Sequence, residues 1–251
     1  LTYAFIFGWM FGDAGQGLCL LVGGFLLYHF KKIRLAAIIG YAGIFSTFFG
    51  FMFGSFFGFE DMLPAIWMRP VSQMTELPFL GKLNTVFIFA IAFGMLIIVI
   101  TMVLHIINAV RQKDFEGTWF DTNGVAGLVF YAAAILVIVL AMTGNPLPAG
   151  IVLAIMFIIP LILIGFKEPI TNALLKKKSS EPTGPVMTVV QAFFELFEVL
   201  LSYFSNTLSF VRIGAFAVSH AAMMEVVLML AGAENGADPN WIVIVLGNAF
   251  V

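Results

Sequence analysis

Charge is scarce in this sequence. Of its 251 residues only 10% are Asp, Glu, Lys or Arg, while 61% are hydrophobic and 29 are Phe. A soluble domain of this length carries about 25% charge. No soluble fold could hide so much apolar surface, so the bilayer has to be part of the solvent. Cysteine is scarcer still. The single Cys19 excludes an internal disulfide and, set in an apolar run, reads as a small packing residue. A glycine loop ending in Lys-Ser/Thr is missing, so the chain itself is not expected to hydrolyse nucleotide. No His/Cys cluster has metal-ligand spacing, no basic patch interleaved with aromatics points to nucleic acid, and no cofactor is expected. A cleavable signal peptide is missing too. The chain starts at Leu1 and stops at Val251 among apolar residues, the pattern expected of a piece of a longer protein.

What the sequence has in abundance is apolar runs. About 20 such residues cross the hydrocarbon core as a helix. On that length, spans are expected at about 1–11, 17–30, 35–58, 83–109, 124–143, 149–166, 186–232 and 240–251, the first and last incomplete. The expected fold is therefore an all-α polytopic membrane protein of about eight transmembrane helices, with a long tilted seventh. Gly12 to Gly17 reads as a turn. Gly50, Gly54 and Gly58 recur at four-residue spacing and predict close helix packing. Lys31, Lys32, Arg34, Arg111, Lys113, Lys167, Lys176, Lys177 and Lys178 fall in alternate loops. The opposite loops hold only Arg69 and Lys82, beside Glu60, Asp61, Glu76, Glu234 and Asp238. The positive-inside rule then makes loops 31–34, 110–122 and 167–185 cytoplasmic. The stretch Lys176 to Pro185, KKKSSEPTGP, reads as a linker. It predicts a first helix group over 1–178, a linker over 179–185 and a later polar pair of helices over 186–251.

The segment from Val186 to Ala231 contains no proline and only Gly214 as an internal glycine. As one helix it would be roughly 70 Å long, against a hydrocarbon core of about 30 Å. It must tilt, protrude or break. Counted at about 100° per residue, Gln191, Glu195, Glu198, Ser202, Ser205, Ser209, Arg212, Ser219 and His220 share a sector roughly 120° wide. Glu225 and Thr207 point elsewhere. A polar stripe on a membrane helix has to face protein or a water-filled cavity.

Arg212 is the most demanding member, since a central arginine costs about 2.5–3.5 kcal/mol on insertion scales. Either it belongs to an ion path or it pairs with a carboxylate of another helix. Asp13, Glu60 and Asp61 sit at membrane edges, and Glu198 is about 21 Å away along the same helix, so the partner is expected on another chain. Glu195 and Glu198 lie toward the cytoplasmic end, as path residues or as a solvated helix end. His220, about 12 Å beyond Arg212, is either a proton relay or a core histidine bonded to a backbone carbonyl. Asp13 reads as a turn or cap residue, and His105 and His29 as interfacial. A midplane charge also fits a secondary transporter, although the paired broken helices and internal repeats of that class are not visible.

Two stretches carry a resemblance. Phe11 to Gly17, FGDAGQG, is similar to the FGD-x-G-x-G turn of the membrane subunit of rotary V-type and A-type ATPases (subunit a or subunit I), with Gln16 where many members have His or Tyr. Leu201 to Glu225, LSYFSNTLSFVRIGAFAVSHAAMME, resembles the same family's seventh span around its essential arginine. The match covers Ser209-x-x-Arg212, His220 and Glu225, and Glu198 coincides with a family glutamate. Ile213-Gly214 departs from the large apolar residues usual there. The resemblance implies a stator subunit beside a ring of small proteolipid subunits, each with a buried carboxylate, from which Arg212 drives release of H⁺ or Na⁺. It implies a cytoplasmic half-channel suited to Glu195 and Glu198 and an outer one suited to His220 and Glu225, with Ser205 and Ser209 along the path. It further implies other stator subunits held through a cytoplasmic N-terminal domain, a non-catalytic role in an ATP-driven pump or synthase, and a bacterial or archaeal cell membrane.

Overall fold

A computed structural model describes residues 1–59, 62–71, 74–77, 81–146, 149–167, 170, 185–233 and 239–251. Helices dominate: α1 (Thr2–Met10), α2 (Ala14–Lys31), α3 (Arg34–Phe53), α4 (Thr85–Gln112), α5 (Phe115–Trp119), α6 (Val125–Thr143), α7 (Gly150–Gly165), α8 (Pro185–Ser209), α9 (Val211–Leu230) and α10 (Trp241–Phe250). A two-stranded sheet, β1 (Met74–Leu77) with β2 (Gly81–Asn84), precedes α4; its polar, turn-rich sequence gave no strand expectation. Four helical segments among the described residues are long and apolar enough to cross a membrane: Arg34–Phe53, Thr85–Gln112, Val125–Thr143 and Met187–Leu230. The chain is an all-α polytopic membrane protein. Every expected span has a helix over it, although α1, α7 and α10 are short. The expected linker lies outside the described residues as far as 184, as do Glu60, Asp61, Lys176 to Lys178, Glu234 and Asp238.

The chain forms two compact units, Leu1–Glu76 with Lys82–Ala90 and Phe210–Val251, and Leu77–Gly81 with Ile91–Ser209. Both therefore draw on the first six expected spans, and the long seventh contributes α8 to one and α9 to the other. In that segment the regular helical hydrogen bonding lapses at Phe210 alone, whose backbone stays right-handed helical at φ -75 and ψ -18.

In the first unit, α1 and α2 pack on α3 through glycines. A Cβ on Gly24 would strike the backbone at Gly40, and one on Gly50 would strike the backbone of Asp13 and Ala14. Without a water-driven hydrophobic force between helices, such close approach is what holds them. The expected Gly50, Gly54, Gly58 packing stripe needs correction. The helix stops at Phe53, Gly54 closes it in the left-handed region at φ 73, and Gly58 sits in a turn at φ 83. Of the three only Gly50 lies within a helix; the other two supply a backbone conformation that side chains resist, and Gly58 also leaves room for Met224 of α9, which a Cβ there would meet at 2.8 Å. Aromatic rings fill the remaining space: Trp67 stacks on Phe53 with centroids 6.1 Å apart and meets Phe89 edge-on at 5.0 Å.

The second unit centres on a core of Met102, Phe130, Tyr131, Ile164, Val199 and Tyr203, drawn from α4, α6, α7 and α8. Thr207 donates to the Tyr203 carbonyl at 2.7 Å and lies 2.8 Å from the Tyr131 hydroxyl, while the Tyr203 hydroxyl donates to the Thr122 carbonyl. Each of these polar groups thus has a protein partner.

Gly50→Val is expected to lower the stability of the detergent-solubilised protein by about 2 kcal/mol or more, because the collision is with backbone. Gly23, around which an added Cβ meets nothing within 4 Å, is the control. Gly23→Ala is expected to be neutral or stabilising by up to about 1 kcal/mol. Thermal unfolding of both variants checks the pair.

Candidate ion-path residues and their surroundings

Asp13 organises the polar part of the first unit. Its side chain is fully buried and receives five hydrogen bonds. Oδ1 accepts from the backbone N–H of Gly15 (2.9 Å), Gln16 (3.0 Å) and Phe57 (2.9 Å). Oδ2 accepts from the Ser55 hydroxyl (2.7 Å) and the Gly58 N–H (2.9 Å). The first two bonds make Asp13 the N-cap of α2, as its position before the helix led one to expect. The other three fasten the loop after α3 to the turn after α1, a long-range role that no local pattern announces. The turn is shorter than expected, since α2 begins at Ala14 and only Phe11 to Asp13 lie between helices. Gln16 reaches from that first helical turn to α10, where its amide donates to Asn248 Oδ1 at 3.0 Å.

His220 lies on α9 and is 5% exposed. Among the described residues neither of its ring nitrogens has a hydrogen-bond partner. The alternative of a histidine tied to a backbone carbonyl is therefore not what the structure holds. The ring meets Phe11 edge-on at 5.4 Å and borders a cavity of about 20 Å³ shared with Ser55 and Met224, room for about one water.

Arg212 sits in the first turn of α9 and is exposed. No carboxylate among the described residues pairs with it. Its neighbours Ile213 and Gly214 are buried. A Cβ on Gly214 would come 3.1 Å from the Cα of Phe87, which gives the glycine after Ile213 a packing reason. Glu225 is exposed on α9, and Ser205 and Ser209 are exposed on α8.

The second unit gathers charge around two polar cavities. One, of about 360 Å³, is lined by Asp121, Lys167, Glu195, Glu198, Ser202 and Tyr203, among others. The other, of about 430 Å³, is lined by His105, Asn108, Asp114, Glu116, Asp121 and Lys167, among others. Asp121 and Lys167 belong to both. Lys167 Nζ lies 2.6 Å from Glu195 Oε1, both side chains about three-quarters buried. His105 Nε2 lies 3.6 Å from Asp121 Oδ2. The hydrogen bond to Glu195, reinforced by the charges of Glu195, Asp121 and Glu116, holds the Lys167 ammonium above its ordinary pKa against the opposing effect of burial.

Glu195 and Glu198 thus border one cavity large enough for several waters. Lys167 and Asp121 complete it, and sequence reasoning missed both. Lys167 had served only as a marker of orientation, and nothing local ties residue 121, 167 and 195 together. His105, expected at an interface, is partly exposed and lies beside Asp121.

These features define a class: a polytopic helical membrane protein with an exposed arginine on a membrane helix and carboxylates set around internal polar cavities. No protein-family model matches the chain. Curated relatives do. Over 275 aligned positions the chain is 26% identical to A-type ATP synthase subunit I of Saccharolobus solfataricus, with 87% of this chain and 38% of the relative covered. It is 31% identical over 153 positions to V-type ATP synthase subunit I 2 of Treponema pallidum, with 47% and 33% covered. The chain is thus similar, over most of its own length, to subunit I of an A-type ATP synthase and, over about half of it, to that of a V-type ATP synthase. It spans about a third of the length of the relatives it matches.

Asp13→Asn is expected to destabilise the fold by about 2–4 kcal/mol. An amide can turn only one acceptor oxygen toward five donors, and hydrogen bonds to a charged group are the strong ones. Chemical unfolding in detergent measures it, and a loss below 1 kcal/mol would remove Asp13 from this central place.

Proposed function

We propose that the chain is the membrane stator part of a rotary ATPase, working against a ring of small subunits that each carry one buried carboxylate. The observation that carries this reading is Arg212, a guanidinium exposed on a membrane helix with no carboxylate partner among the described residues. A charge so placed needs a partner or a water-filled path, and a carboxylate arriving on another subunit supplies one intermittently. While that carboxylate faces lipid it must be neutral, protonated or paired with Na⁺, because a bare ion in hydrocarbon costs several kcal/mol. Opposite Arg212 the fixed positive charge favours the ionised form and the bound ion leaves. The same charge blocks a direct leak between the two sides.

Glu195 and Glu198, on the side that the basic loops mark as cytoplasmic, serve one half-channel. His220 and Glu225 serve the outer one, with Ser205 and Ser209 along the path. ATP hydrolysis belongs to other subunits of the complex, joined through a cytoplasmic domain of the longer protein. The complex resides in a bacterial or archaeal cell membrane, with loops 31–34, 110–122 and 167–185 cytoplasmic.

In vesicles holding the intact complex, Arg212→Lys is expected to cut ATP-driven ion pumping by at least about tenfold while the complex still assembles. A flexible ammonium does not reproduce the planar guanidinium. Normal pumping by Arg212→Ala would overturn the reading. Glu198→Gln is expected to slow pumping without abolishing it, by about tenfold to a hundredfold, and an unchanged rate would return Glu198 to a solvated helix end.

A further inference from the structure

Charge around the two polar cavities of the second unit is lopsided. Five carboxylates line them: Asp114, Glu116, Asp121, Glu195 and Glu198. Among the described residues, Lys167 is the one Lys or Arg that lines these cavities, and it lines each of them. From its position after α7 it is bonded to Glu195 of α8, with Glu198 one helical turn further on and Asp121 lining the same cavity; His105, 3.6 Å from Asp121, lines the other. A conducting path has to attract its ion enough to be filled and release it readily enough to pass it on. Five carboxylates around confined water satisfy the first requirement and defeat the second, because each raises the affinity of its neighbours for H⁺ or a metal cation. A built-in ammonium removes part of that excess, and unlike a dissolved cation it cannot be exchanged or carried away.

We propose that Lys167, tethered by Glu195, sets how strongly this vestibule holds the coupling cation, and that Glu198 is the carboxylate left free to pass the ion on. This inference rests on the proposed ion path, and it gives Glu195 a different part from Glu198. Glu195 is a positioning residue that holds the ammonium, whereas Glu198 has no ion-pair partner among the described residues. The elevated pKa of Lys167 agrees, since it keeps the tether charged through the whole neutral range.

The two members of the pair then act with opposite sign, which no merely structural ion pair does. Lys167→Gln leaves the carboxylates uncompensated, so cations are held more tightly. Glu195→Gln leaves an uncompensated ammonium in the cavity, so they are held less tightly. The experiment uses the intact complex in liposomes and measures the initial rate of ATP-driven transport against cation concentration on the ATP side. One arm titrates pH without Na⁺ and the other titrates Na⁺ at fixed pH, so that the coupling ion is identified along with the effect.

In the arm that responds, Lys167→Gln is expected to lower the half-saturating cation concentration by about threefold to tenfold and to reduce the maximal rate. For H⁺ this means a pumping limb displaced to higher pH. Glu195→Gln is expected to raise half-saturation, and Lys167→Arg to stay near the unmodified complex. Shifts of Lys167→Gln and Glu195→Gln in the same direction, or an unchanged half-saturation in either, would overturn the proposal. Should Lys167→Gln fail to assemble, Glu195→Gln and Lys167→Arg decide by the same criteria. Pumping that survives Arg212→Ala counts against the ion path itself, so the two failures are distinguishable.

Discussion

In an apolar solvent a polar group has no water to fall back on, and the arrangement of this chain follows from where each one finds its partner. Asp13 is the extreme case. A carboxyl group would be costly to bury alone, yet with five donors from two chain segments it becomes the fastening of the first unit. The loop after α3 exists in its bent form because Gly54 and Gly58 accept left-handed backbone, which turns the Phe57 and Gly58 amides toward Asp13. The same demand explains the second unit, where Tyr203 and Thr207 bond inward and Lys167 is paired with Glu195. Beside these satisfied groups two stand out, the buried His220 ring and the exposed Arg212, which has no carboxylate partner among the described residues.

The fold was legible in the sequence because apolar run length alone locates membrane helices, and the runs hardly overlap with any other signal. What misled was spacing read without conformation. Gly50, Gly54 and Gly58 keep a helical interval, but the last two are used for positive φ, and the same letters serve both ends. Of the polar residues that a wheel projection of the long seventh segment groups within α8, Glu195, Glu198 and Ser202 border one cavity, whereas Gln191, Ser205 and Ser209 do not line it. The projection could not foresee the lapse at Phe210, since nothing in a run free of proline marks it.

The site was legible in part, for a related reason. Arg212, Glu195 and Glu198 are unusual residues in an apolar helix and identify themselves by their cost. Lys167 and Asp121 sit in loops where charge is ordinary, and only the packing of α4, α6, α7 and α8 brings them beside Glu195. Asp13 was recognisable as a cap from its neighbours at 15 and 16, whereas its bonds to 55, 57 and 58 depend on tertiary structure. Sequence therefore exposes the residues that violate their surroundings and conceals those that become important by being brought together.

An electrostatic task such as the one proposed for Arg212 requires a charge that is fixed before its partner arrives, because a field that must first be assembled loses strength to reorganisation. A long flexible side chain exposed on a helix would ordinarily be a poor choice. What can be fixed is the helix beneath it. Ile213, Gly214 and Ala217 bury the opposite face of α9, and Gly214 lets that face approach Phe87 more closely than any larger residue would. His220 and Met224 continue the buried row. Gly214 therefore trades side-chain bulk for a closer backbone contact, and that contact anchors the arginine's helix.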